Sequence, residues 1–281
     1  MDLWFTEKHS PNVGITLRIK RCILQQKTRY QQLDILESHE YGKILLLDGL
    51  IMFTERDEFI YHEMIVHVPL VIHPNPKNIL VIGGGDGGTV REILKHPEVE
   101  RIDLVEIDED VMDACLQYFP EVSQGLKDPK VRILIEDGIE FMAKGDNRYD
   151  IIIIDSTDPI GPAKGLFEQK FYQNVDNTLG QEGIMVSQSE SPFQDPKLWS
   201  WIYKNISSVF EKAFSYLAFI PTYPAGFWSF TLASKSRHPT KDIRTEQALG
   251  LSSTTRYYNP KVHKSAFSLP NFLKSELTKP S

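Results

Sequence analysis

The sequence predicts an α/β protein in which a small N-terminal β domain precedes a parallel β-sheet with helices on both faces. Two observations support this fold class. Residues 13–54 contain short runs in which apolar and polar residues alternate, and from residue 78 onwards apolar runs alternate with helical segments. Period-two alternation is typical of strands that bury one face, and apolar strands alternating with helices are typical of parallel sheets.

The N-terminal strands are predicted from three runs, ITLRIK (15–20), LDILES (33–38) and KILLLDGLIMFT (43–54). A glycine between two apolar stretches indicates a hairpin in the last of these runs. We therefore expect residues 1–56 to form a β-strand domain and residues 57–281 to form a larger α/β domain.

Residues 57–73 are predicted to form a helix that links the two domains. Thr54 followed three positions later by Asp57 resembles a capping box, which satisfies the free N–H groups at the start of a helix. Pro74 is expected to follow the end of this helix. Its apolar positions recur at helical spacing and comprise Ile60, Met64, Val68 and Val71.

Seven apolar runs predict the strands of the larger domain. The first five, which should be parallel, are NILVI (78–82), RIDLVEI (101–107), KVRILI (130–135), DIIIID (150–155) and GIMVSQ (183–188). The helical segments between them include TVREILKH (89–96) and EDVMDACLQYF (109–119). The last two runs, 213–220 and 227–234, are expected to add edge strands, the second of them antiparallel.

Composition excludes several classes of function. The chain has 31 Lys and Arg against 38 Asp and Glu, a net charge of −7, and its basic residues are scattered, so nucleic-acid binding is not expected. No stretch approaches the ~20 apolar residues that span a bilayer, and residues 1–10 contain no apolar signal segment. Cys22 and Cys115 lie far apart without C-x-x-C spacing, which argues against disulfides and structural zinc. We expect a cytoplasmic protein without a membrane partner that handles a cationic or neutral compound.

A glycine run between a predicted strand and a predicted helix indicates a ligand site. Gly83, Gly85 and Gly88 spell G-x-G-x-x-G, the dinucleotide fingerprint, in which backbone without Cβ atoms lets a ligand approach closely. Asp86 conflicts with a dinucleotide, because its carboxylate would lie near the helix N-terminus where a pyrophosphate binds. A ligand with a cationic group at this point fits better.

Acidic residues end the next two predicted strands. Glu106 lies 18 residues after Gly88, where an acid accepts hydrogen bonds from ribose hydroxyls. Asp137 and Gly138 end the third strand, where an adenine edge could be reached. Acids at the ends of successive parallel strands suit a nucleoside without phosphates. The alternative is that Glu106 and Asp137 only cap helices.

Asp155 and Asp158 form a second acidic cluster, at the end of the fourth strand and within DSTDPIGP (155–162). Such a pair could bind a metal or the ammonium groups of a polyamine, and neither a His nor a third acid accompanies it in this segment. The alternative for Asp158 is an exposed position in a turn. His62 and His67 are one residue too far apart for the H-E-x-x-H motif, so no zinc site is expected.

Nine segments together, in order and with matching spacing, resemble the spermidine synthase family. They are WFTE (4–7), LDG (47–49), ERDEFIYHEM (55–64), GGGDGG (83–88), VEID (105–108), EDG (136–138), DSTDPIGPA (155–163), IPTYPAG (220–226) and the pattern YYNP…H…AF.LP (257–270). The resemblance implies a catalytic, Rossmann-like domain of methyltransferase type with a seven-stranded sheet behind the N-terminal β domain. It also implies a homodimer or homotetramer.

The resemblance further implies decarboxylated S-adenosylmethionine as co-substrate and putrescine as acceptor, with no prosthetic group or metal. Residues that match the co-substrate site are Gln31, Gly83, Gly85, Asp86, Glu106, Asp137, Gly138 and Pro162. Residues that match the acceptor site are Tyr61, His62, Asp155, Ser156, Thr157, Asp158, Gln188 and Tyr223. Gln32 is adjacent to Gln31, so that assignment could shift by one. Residues 187–193 match the family only at Gln188, so Glu190 is a candidate for altering acceptor choice.

The implied reaction is an SN2 displacement at the aminopropyl carbon bonded to the sulfonium, from which methylthioadenosine leaves as a neutral thioether. A protonated diamine has no free lone pair, so the protein must remove one proton. Asp155 is the predicted proton acceptor, and Tyr61 is predicted to orient the attacking nitrogen. Asp86 would pair with the ammonium of the co-substrate and repel the carboxylate of ordinary S-adenosylmethionine. Two alternatives are a putrescine N-methyltransferase that uses S-adenosylmethionine and a polyamine-binding protein without catalytic activity.

Overall fold

The fold is described from a computed structural model, which defines residues 2–145 and 148–278 apart from the side chain of Pro162. In these residues an antiparallel sheet and a mixed sheet are separated in sequence by a buried helix. The predicted α/β fold class is confirmed. No helix in this part of the chain is long and apolar enough to cross a membrane.

The N-terminal sheet contains five strands in the order in which they occur in the chain, each antiparallel to the next. They are β1 (Leu3–Ser10), β2 (Val13–Lys27), β3 (Gln32–Ser38), β4 (Lys43–Leu47) and β5 (Leu50–Thr54). Asp48 and Gly49 form the turn between β4 and β5, with φ angles of 51° and 80°. Positive φ at both positions is what a type I′ hairpin requires, and this turn matches the twist of the strands.

Strand β1 is absent from the runs predicted by alternation. Its apolar residues Leu3 and Trp4 are 46% and 56% exposed, whereas Glu7 is buried, and of its apolar side chains only Phe5 packs partly against the core. Backbone pairing with β2 places it in the sheet. A pattern that detects buried apolar faces does not detect such a strand.

A helix, α1 (Glu58–Leu70), follows the N-terminal sheet and is buried along almost its whole length. It begins one residue later and ends three residues earlier than the predicted range. The face opposite the predicted apolar stripe is buried too, since His62, Glu63 and His67 are at most 2% exposed. Polar side chains inside the protein need partners, and those of α1 therefore organise the surrounding structure.

The capping box predicted from Thr54 and Asp57 is wrong. Asp57 is the N-cap residue of α1, but its side chain makes no capping hydrogen bond. Its Oδ1 accepts from the Thr54 hydroxyl at 2.5 Å, and its Oδ2 accepts from the backbone N–H and hydroxyl of Thr222 at 3.1 and 2.8 Å. The aspartate therefore ties the start of α1 to the segment that carries Tyr223.

The second sheet contains seven strands. They are β6 (Asn78–Gly83), β7 (Arg101–Glu106), β8 (Val131–Ile135), β9 (Tyr149–Asp155), β10 (Leu179–Gln188), β11 (Lys212–Phe219) and β12 (Phe227–Ser234). Their order across the sheet is β11-β12-β10-β9-β6-β7-β8. Strands β10, β9, β6, β7 and β8, which are adjacent in this order, are parallel to one another. Strand β12 is antiparallel to both of its neighbours.

The expectation that the last two strands both lie at the edge is wrong for one of them. Strand β11 forms the edge, but β12 is inserted between β10 and β11. Every residue of β12 after Phe227 is buried, whereas β11 is buried at fewer positions. Because both runs are apolar and adjacent in the chain, their order in the sheet depends on tertiary packing.

Alternate residues of the central strands build two cores, one on each face of the sheet. The helices after α1 are α2 (Gly88–Ile93), α3 (Glu109–Tyr118), α4 (Pro120–Ser123), α5 (Gly138–Lys144), α6 (Gln169–Thr178), α7 (Pro196–Ser207), α8 (Thr245–Leu251), α9 (Pro260–Ala266) and α10 (Asn271–Leu277). In β9, Ile151 and Ile153 belong to the core that contains α1, while Ile152 and Ile154 belong to the core that contains α6 and α7. Burial of both faces explains the unbroken apolar run of β9.

Glu63 of α1 holds the C-terminal segment, which gives a first test of the fold. Its carboxylate accepts from the backbone N–H groups of Arg256, Tyr257 and Tyr258 at 2.7, 2.8 and 2.7 Å. Glu63→Gln turns an amide NH2 towards these donors, so we expect the free energy of unfolding to fall by about 1–3 kcal/mol. Urea unfolding measures this change. The control is Glu246→Gln on the exposed face of α8, and equal effects of the two substitutions would contradict the prediction.

Candidate active site

A cavity of about 310 Å³ lies where the parallel strands β6, β7 and β9 end, and the N-terminal sheet forms its opposite wall. The structure brings most of the predicted site residues to this cavity. Those that line it are Gln31, Tyr61, His62, Gly83, Gly85, Asp86, Glu106, Asp137, Gly138, Asp155, Ser156, Thr157, Asp158 and Tyr223. Of the two neighbouring glutamines, Gln31 lines the cavity, whereas the amide of Gln32 binds Asp34.

Two predicted site residues stand apart from this set. Gln188, which is 1% exposed, is not among the lining residues. Its amide lies 3.4 Å from the backbone oxygens of Ser156 and Thr157, so it supports the loop after β9 from behind. Pro162 lies in a 3₁₀ turn of this loop, and its side chain is outside the described part of the structure.

The glycine loop after β6 is pressed against the end of β9. Gly83 has a φ of 79°, and a Cβ atom there would lie 2.2 Å from the backbone oxygen of Asp155. The N–H of Gly84 donates to the same oxygen at 2.8 Å. Only a residue without a side chain fits this contact, which fixes the distance between the loop and Asp155.

Asp86 is held at the tip of the glycine loop. Its Oδ1 accepts from the N–H of Gly88 at 2.6 Å and lies 3.3 Å from Nε2 of His62. Burial opposes ionisation of Asp86, but the positive charge and hydrogen bond of His62 outweigh it and lower the pKa of the carboxyl. The structure therefore presents a fixed anion to the cavity.

Glu106 ends β7, and its carboxylate binds backbone N–H groups of the glycine loop and of the turn after β7. Its Oε2 accepts from the N–H of Gly85 at 3.1 Å, and its Oε1 accepts from those of Ile107 and Asp108 at 2.7 and 2.9 Å. Burial raises the pKa of Glu106 to about 7, although these backbone donors oppose the change. The carboxylate is positioned to accept from hydroxyl groups of a ligand.

Asp137 and Gln31 lie at the same end of the cavity as Glu106. Asp137 is the N-cap of α5 and accepts from the N–H of Ile139 at 2.7 Å, so the capping role considered as an alternative is present. It lines the cavity as well, so capping does not exclude contact with a ligand. Gln31 donates to Oδ2 of Asp108 at 2.9 Å, which ties the N-terminal sheet to the start of α3.

Asp155 is the last residue of β9 and lies between two hydroxyl donors. Tyr61 donates to its Oδ1 at 2.6 Å, and Thr89 donates to its Oδ2 at 2.6 Å. Burial and the negative charge of Asp86 raise the pKa of Asp155, while the charge of His62 partly opposes this. A carboxylate held in one orientation with a raised pKa is suited to accept a proton.

Asp158 belongs to an acidic cluster with Glu190 and Glu7, which are 8% and 5% exposed. The carboxyl of Glu190 is hydrogen-bonded to that of Asp158, and burial raises the pKa of both groups. Burial also raises the pKa of Glu7 to about 7. His9 lies 3.2 Å from Glu7, but burial lowers the pKa of its ring. In the described residues no Lys or Arg forms an ion pair with any of the three acids, so this cluster lacks a permanent cation.

The two tyrosines of the cavity are close to each other. The ring centroids of Tyr61 and Tyr223 are 5.9 Å apart, and the Tyr223 hydroxyl donates to the backbone oxygen of Met52. Burial raises the pKa of both hydroxyls, so both stay protonated donors. Among the described residues, no group of three or more His, Cys, Asp and Glu side chains is arranged to hold a metal ion.

Two family profiles together match nearly all of the part of the chain that contains the site residues. The profile described as spermine/spermidine synthase domain matches residues 58–243, and the one described as spermidine synthase tetramerisation domain matches residues 3–55. The chain belongs to the spermine/spermidine synthase family. The resemblance seen in the sequence motifs is thereby confirmed.

Relatives in this family align with nearly the whole chain. The polyamine aminopropyltransferase of Caldicellulosiruptor saccharolyticus is 51% identical over 97% of this chain and 97% of its own length. That of Methanocaldococcus jannaschii is 48% identical over 99% of this chain and 96% of its own length. The expected enzyme class, an aminopropyltransferase, is confirmed.

Solved spermidine synthases have the same fold. One, in complex with the transition-state analogue AdoDATO, is 44% identical with a TM-score of 0.95 and covers 98% of this chain and 94% of that one. The spermidine synthase of Thermotoga maritima is 42% identical with a TM-score of 0.92 and the same coverage. The expected seven-stranded sheet behind an N-terminal β domain is confirmed.

Thr89 and Glu7 are parts of this spermidine synthase-like site that the sequence patterns do not identify. Thr89 directly follows the glycine run, and Glu7 ends the family motif WFTE. The signals available in the sequence are therefore membership of a motif for Glu7 and position next to a motif for Thr89. Their partners Asp155 and Asp158 lie far away in sequence, so only the fold brings them together.

The contact of Gly83 with β9 gives a prediction about the site. Gly83→Ala would place a Cβ atom against Asp155. Gly49 has a similar positive φ, but a Cβ atom at this position would meet nothing within 4 Å. We expect Gly49→Ala to lower the free energy of unfolding by about 1–2 kcal/mol. Gly83→Ala should lower it by a further ~1–3 kcal/mol, because the clash adds to the backbone strain. Thermal or urea unfolding compares the two, and equal losses would show that the loop does not press on β9.

Proposed function

We propose that this chain transfers the aminopropyl group of decarboxylated S-adenosylmethionine to putrescine, giving spermidine and 5'-methylthioadenosine. One observation carries the proposal: carboxyl groups line the cavity from Asp86 to Asp158, and no Lys or Arg is among its described lining residues. Such a wall attracts a molecule with several positive charges and offers nothing to a phosphate. Both proposed substrates are cationic and lack phosphate groups.

The nucleoside of the donor is proposed to occupy the end of the cavity formed by the glycine loop. Glu106 would accept from the ribose hydroxyls, and Asp137 with Gly138 would face the adenine. Asp86 would pair with the ammonium at the end of the aminopropyl group. The remaining proposed donor contacts are Gln31, Gly83, Gly85 and Pro162.

Putrescine is proposed to lie between Asp155 and the acidic cluster of Asp158, Glu190 and Glu7. The reacting amine would lie at Asp155 and Tyr61, and the distal ammonium would face Asp158. Charge-assisted hydrogen bonds of this kind are worth about 1.5–3 kcal/mol each. The remaining proposed acceptor contacts are His62, Ser156, Thr157 and Tyr223, with Gln188 supporting the loop.

The chemical step needs one proton to leave the attacking nitrogen. Asp155 accepts that proton, and the freed lone pair attacks the aminopropyl carbon bonded to sulfur. The new N–C bond forms as the C–S bond breaks, and the electron pair of the C–S bond stays on sulfur as a neutral thioether. Tyr61 and Thr89 hold the carboxylate in place, so positioning supplies much of the rate acceleration.

The donor distinguishes this reaction from the alternative N-methyltransferase. S-adenosylmethionine carries a carboxylate that would face the ionised Asp86, and this repulsion disfavours it. Purified protein should be incubated with putrescine and each donor in parallel, with the products read by mass spectrometry. We expect spermidine and methylthioadenosine from decarboxylated S-adenosylmethionine, and methylputrescine from the other donor would contradict the proposal.

Removing the proton acceptor should slow turnover strongly. Asp155→Asn keeps the shape of the side chain but removes its basicity, so we expect kcat to fall by about 10²–10⁴-fold. The KM for the donor should change little, because the donor is anchored elsewhere. Asp150→Asn, at the other end of β9, is the matched control and should keep wild-type kcat. Near wild-type turnover by Asp155→Asn would show that another group takes the proton.

The acidic cluster predicts a pH dependence of putrescine binding. Its acids have raised pKa values, that of Glu7 being about 7, so they become neutral as the pH falls and lose their attraction for the ammonium. We expect the Kd of putrescine, measured by calorimetry, to rise as the pH falls from 8 to 6. Glu7→Gln should make this rise smaller, and the control Glu37→Gln, a partly exposed residue that pairs with Lys20 and Arg21, should preserve it. A Kd independent of pH would exclude the cluster from the binding site.

We further propose that the chain acts in the cytoplasm as a homotetramer of subunits built from two units, residues 1–56 and 57–281. The match of residues 3–55 to a tetramerisation profile supports assembly, as do the exposed apolar side chains of Leu3, Trp4 and Val13. Cys22 and Cys115 are free thiols, which suits a reducing compartment.

A further inference from the structure

The ring of His62 lies between two carboxylates. Its Nδ1 is 2.6 Å from Oε2 of Glu58, one turn earlier in α1, and its Nε2 is 3.3 Å from Oδ1 of Asp86 in the glycine loop. The side chain is only 2% exposed. A Cβ atom on Gly88 would lie 2.3 Å from the ring, so the imidazole is also clamped by backbone.

This arrangement determines the protonation state of the ring. A neutral imidazole has one N–H and one lone pair, so in either tautomer a lone pair would face a buried carboxylate. Only the doubly protonated ring donates to both Glu58 and Asp86. Burial alone would lower the pKa of His62, but the charges and hydrogen bonds of the two carboxylates raise it to about 10.

Glu58 is itself fixed from the side opposite His62. Arg91 of α2 donates to its Oε1 and Oε2 at 3.0 and 2.8 Å, a bidentate pair. The same guanidinium donates from Nε to Glu92 at 2.9 Å. Burial opposes ionisation of Glu58, but His62 and Arg91 outweigh it and lower the pKa of its carboxyl. Glu58 does not reach the cavity, so any effect on the reaction passes through His62.

The charge of His62 acts differently on the two nearby acids of the cavity. It contacts Asp86 directly, whereas it reaches Asp155 only as a more distant charge that partly cancels that of Asp86. The charge of Arg91 also lowers the pKa of Asp86, but less than His62 does. The remaining groups Tyr61, Tyr223 and the Cys115 thiol are neutral, because burial raises their pKa values. His62 is therefore the local positive charge that separates the behaviour of the two carboxylates.

We propose that Glu58 is a positioning residue that, backed by Arg91, keeps His62 cationic, so that Asp86 remains an ionised anchor while Asp155 is free to exchange a proton. The inference rests on the proposed role of Asp155. It adds that one imidazolium affects the protonation of two neighbouring carboxylates differently, so that they can have different roles in one cavity. Neither Glu58 nor Arg91 contacts the substrates in this arrangement.

The pH profile of kcat tests the proposal. Without the imidazolium, the buried carboxyls of Asp86 and Asp155 lose the positive charge that they share, so the pair holds a proton to higher pH and either the anchor or the base is neutralised. We expect the acid limb of kcat to move upwards by about one pH unit in both Glu58→Gln and His62→Gln, a loss of about tenfold near neutral pH that shrinks at high pH. A purely structural defect would lower kcat by the same factor at every pH.

The control is Glu92→Gln, which removes another carboxylate bound to Arg91 from the same buried cluster. Glu92 contacts His67 at 3.0 Å and not His62, so the acid limb should stay in place. A limb that moves with His62→Gln but not with Glu58→Gln would overturn the role of Glu58. Equal movement in Glu92→Gln would also overturn it, because the effect would then belong to the cluster as a whole.

Nuclear magnetic resonance of the His62 ring in the free protein gives a test that needs no turnover. The wild-type ring should stay protonated from pH 6 to 8, and in Glu58→Gln it should titrate at lower pH than in the wild type. Titration of the wild-type ring within this range would overturn the proposal even if Glu58→Gln does not fold. If Asp155→Asn remains active while the ring behaves as expected, the assigned proton acceptor fails and the protonation of His62 stands.

Discussion

Buried negative charge at the carboxyl edge of the large sheet is the constraint on which the site depends. Strands β6, β7 and β9 end side by side, so acids at or after their ends meet in one cavity however far apart they are in sequence. No Lys or Arg is found among the described residues that line this cavity. Burying carboxylates in this way costs free energy unless each is protonated or given a cation.

Both solutions, protonation and pairing with a cation, occur in the structure at different acids. At Asp86 the cation is the His62 ring, which Glu58 holds from behind. At Asp158 and Glu190 burial raises the pKa values instead, and the two carboxyls are hydrogen-bonded to each other. Asp155 lies between these extremes, with hydroxyl donors and a raised pKa. In the proposed mechanism, acids of similar chemistry thus serve as an anchor, a base and a receptor for ammonium, depending on their neighbours.

The sequence predicts the parts of the site that follow from local pattern. Apolar runs locate the strands, and acids at the ends of parallel strands must converge, so the pattern alone groups Glu106 with Asp137, and the family resemblance adds Asp155 to the same site. Partners such as Glu58 and Thr89 could not be assigned in this way, because they depend on how α1 and α2 pack against each other and against β9. Thr54 and Asp57 show the same limit: their spacing suits a capping box, yet Asp57 binds Thr222, a residue 165 positions away.

The residues whose burial and conformation the sequence does not predict are those at which the local rules of stability are broken. Glu190 is a buried acid with a φ of 65°, a combination that neither burial nor backbone preference favours. An apolar residue there would relieve the buried charge but would remove the attraction for a distal ammonium. A cationic ligand reverses this balance, since it supplies the missing counter-charge and stabilises the folded state to which it binds. Under the proposed function, the unfavourable acids serve recognition of this ammonium at a cost in the stability of the free protein.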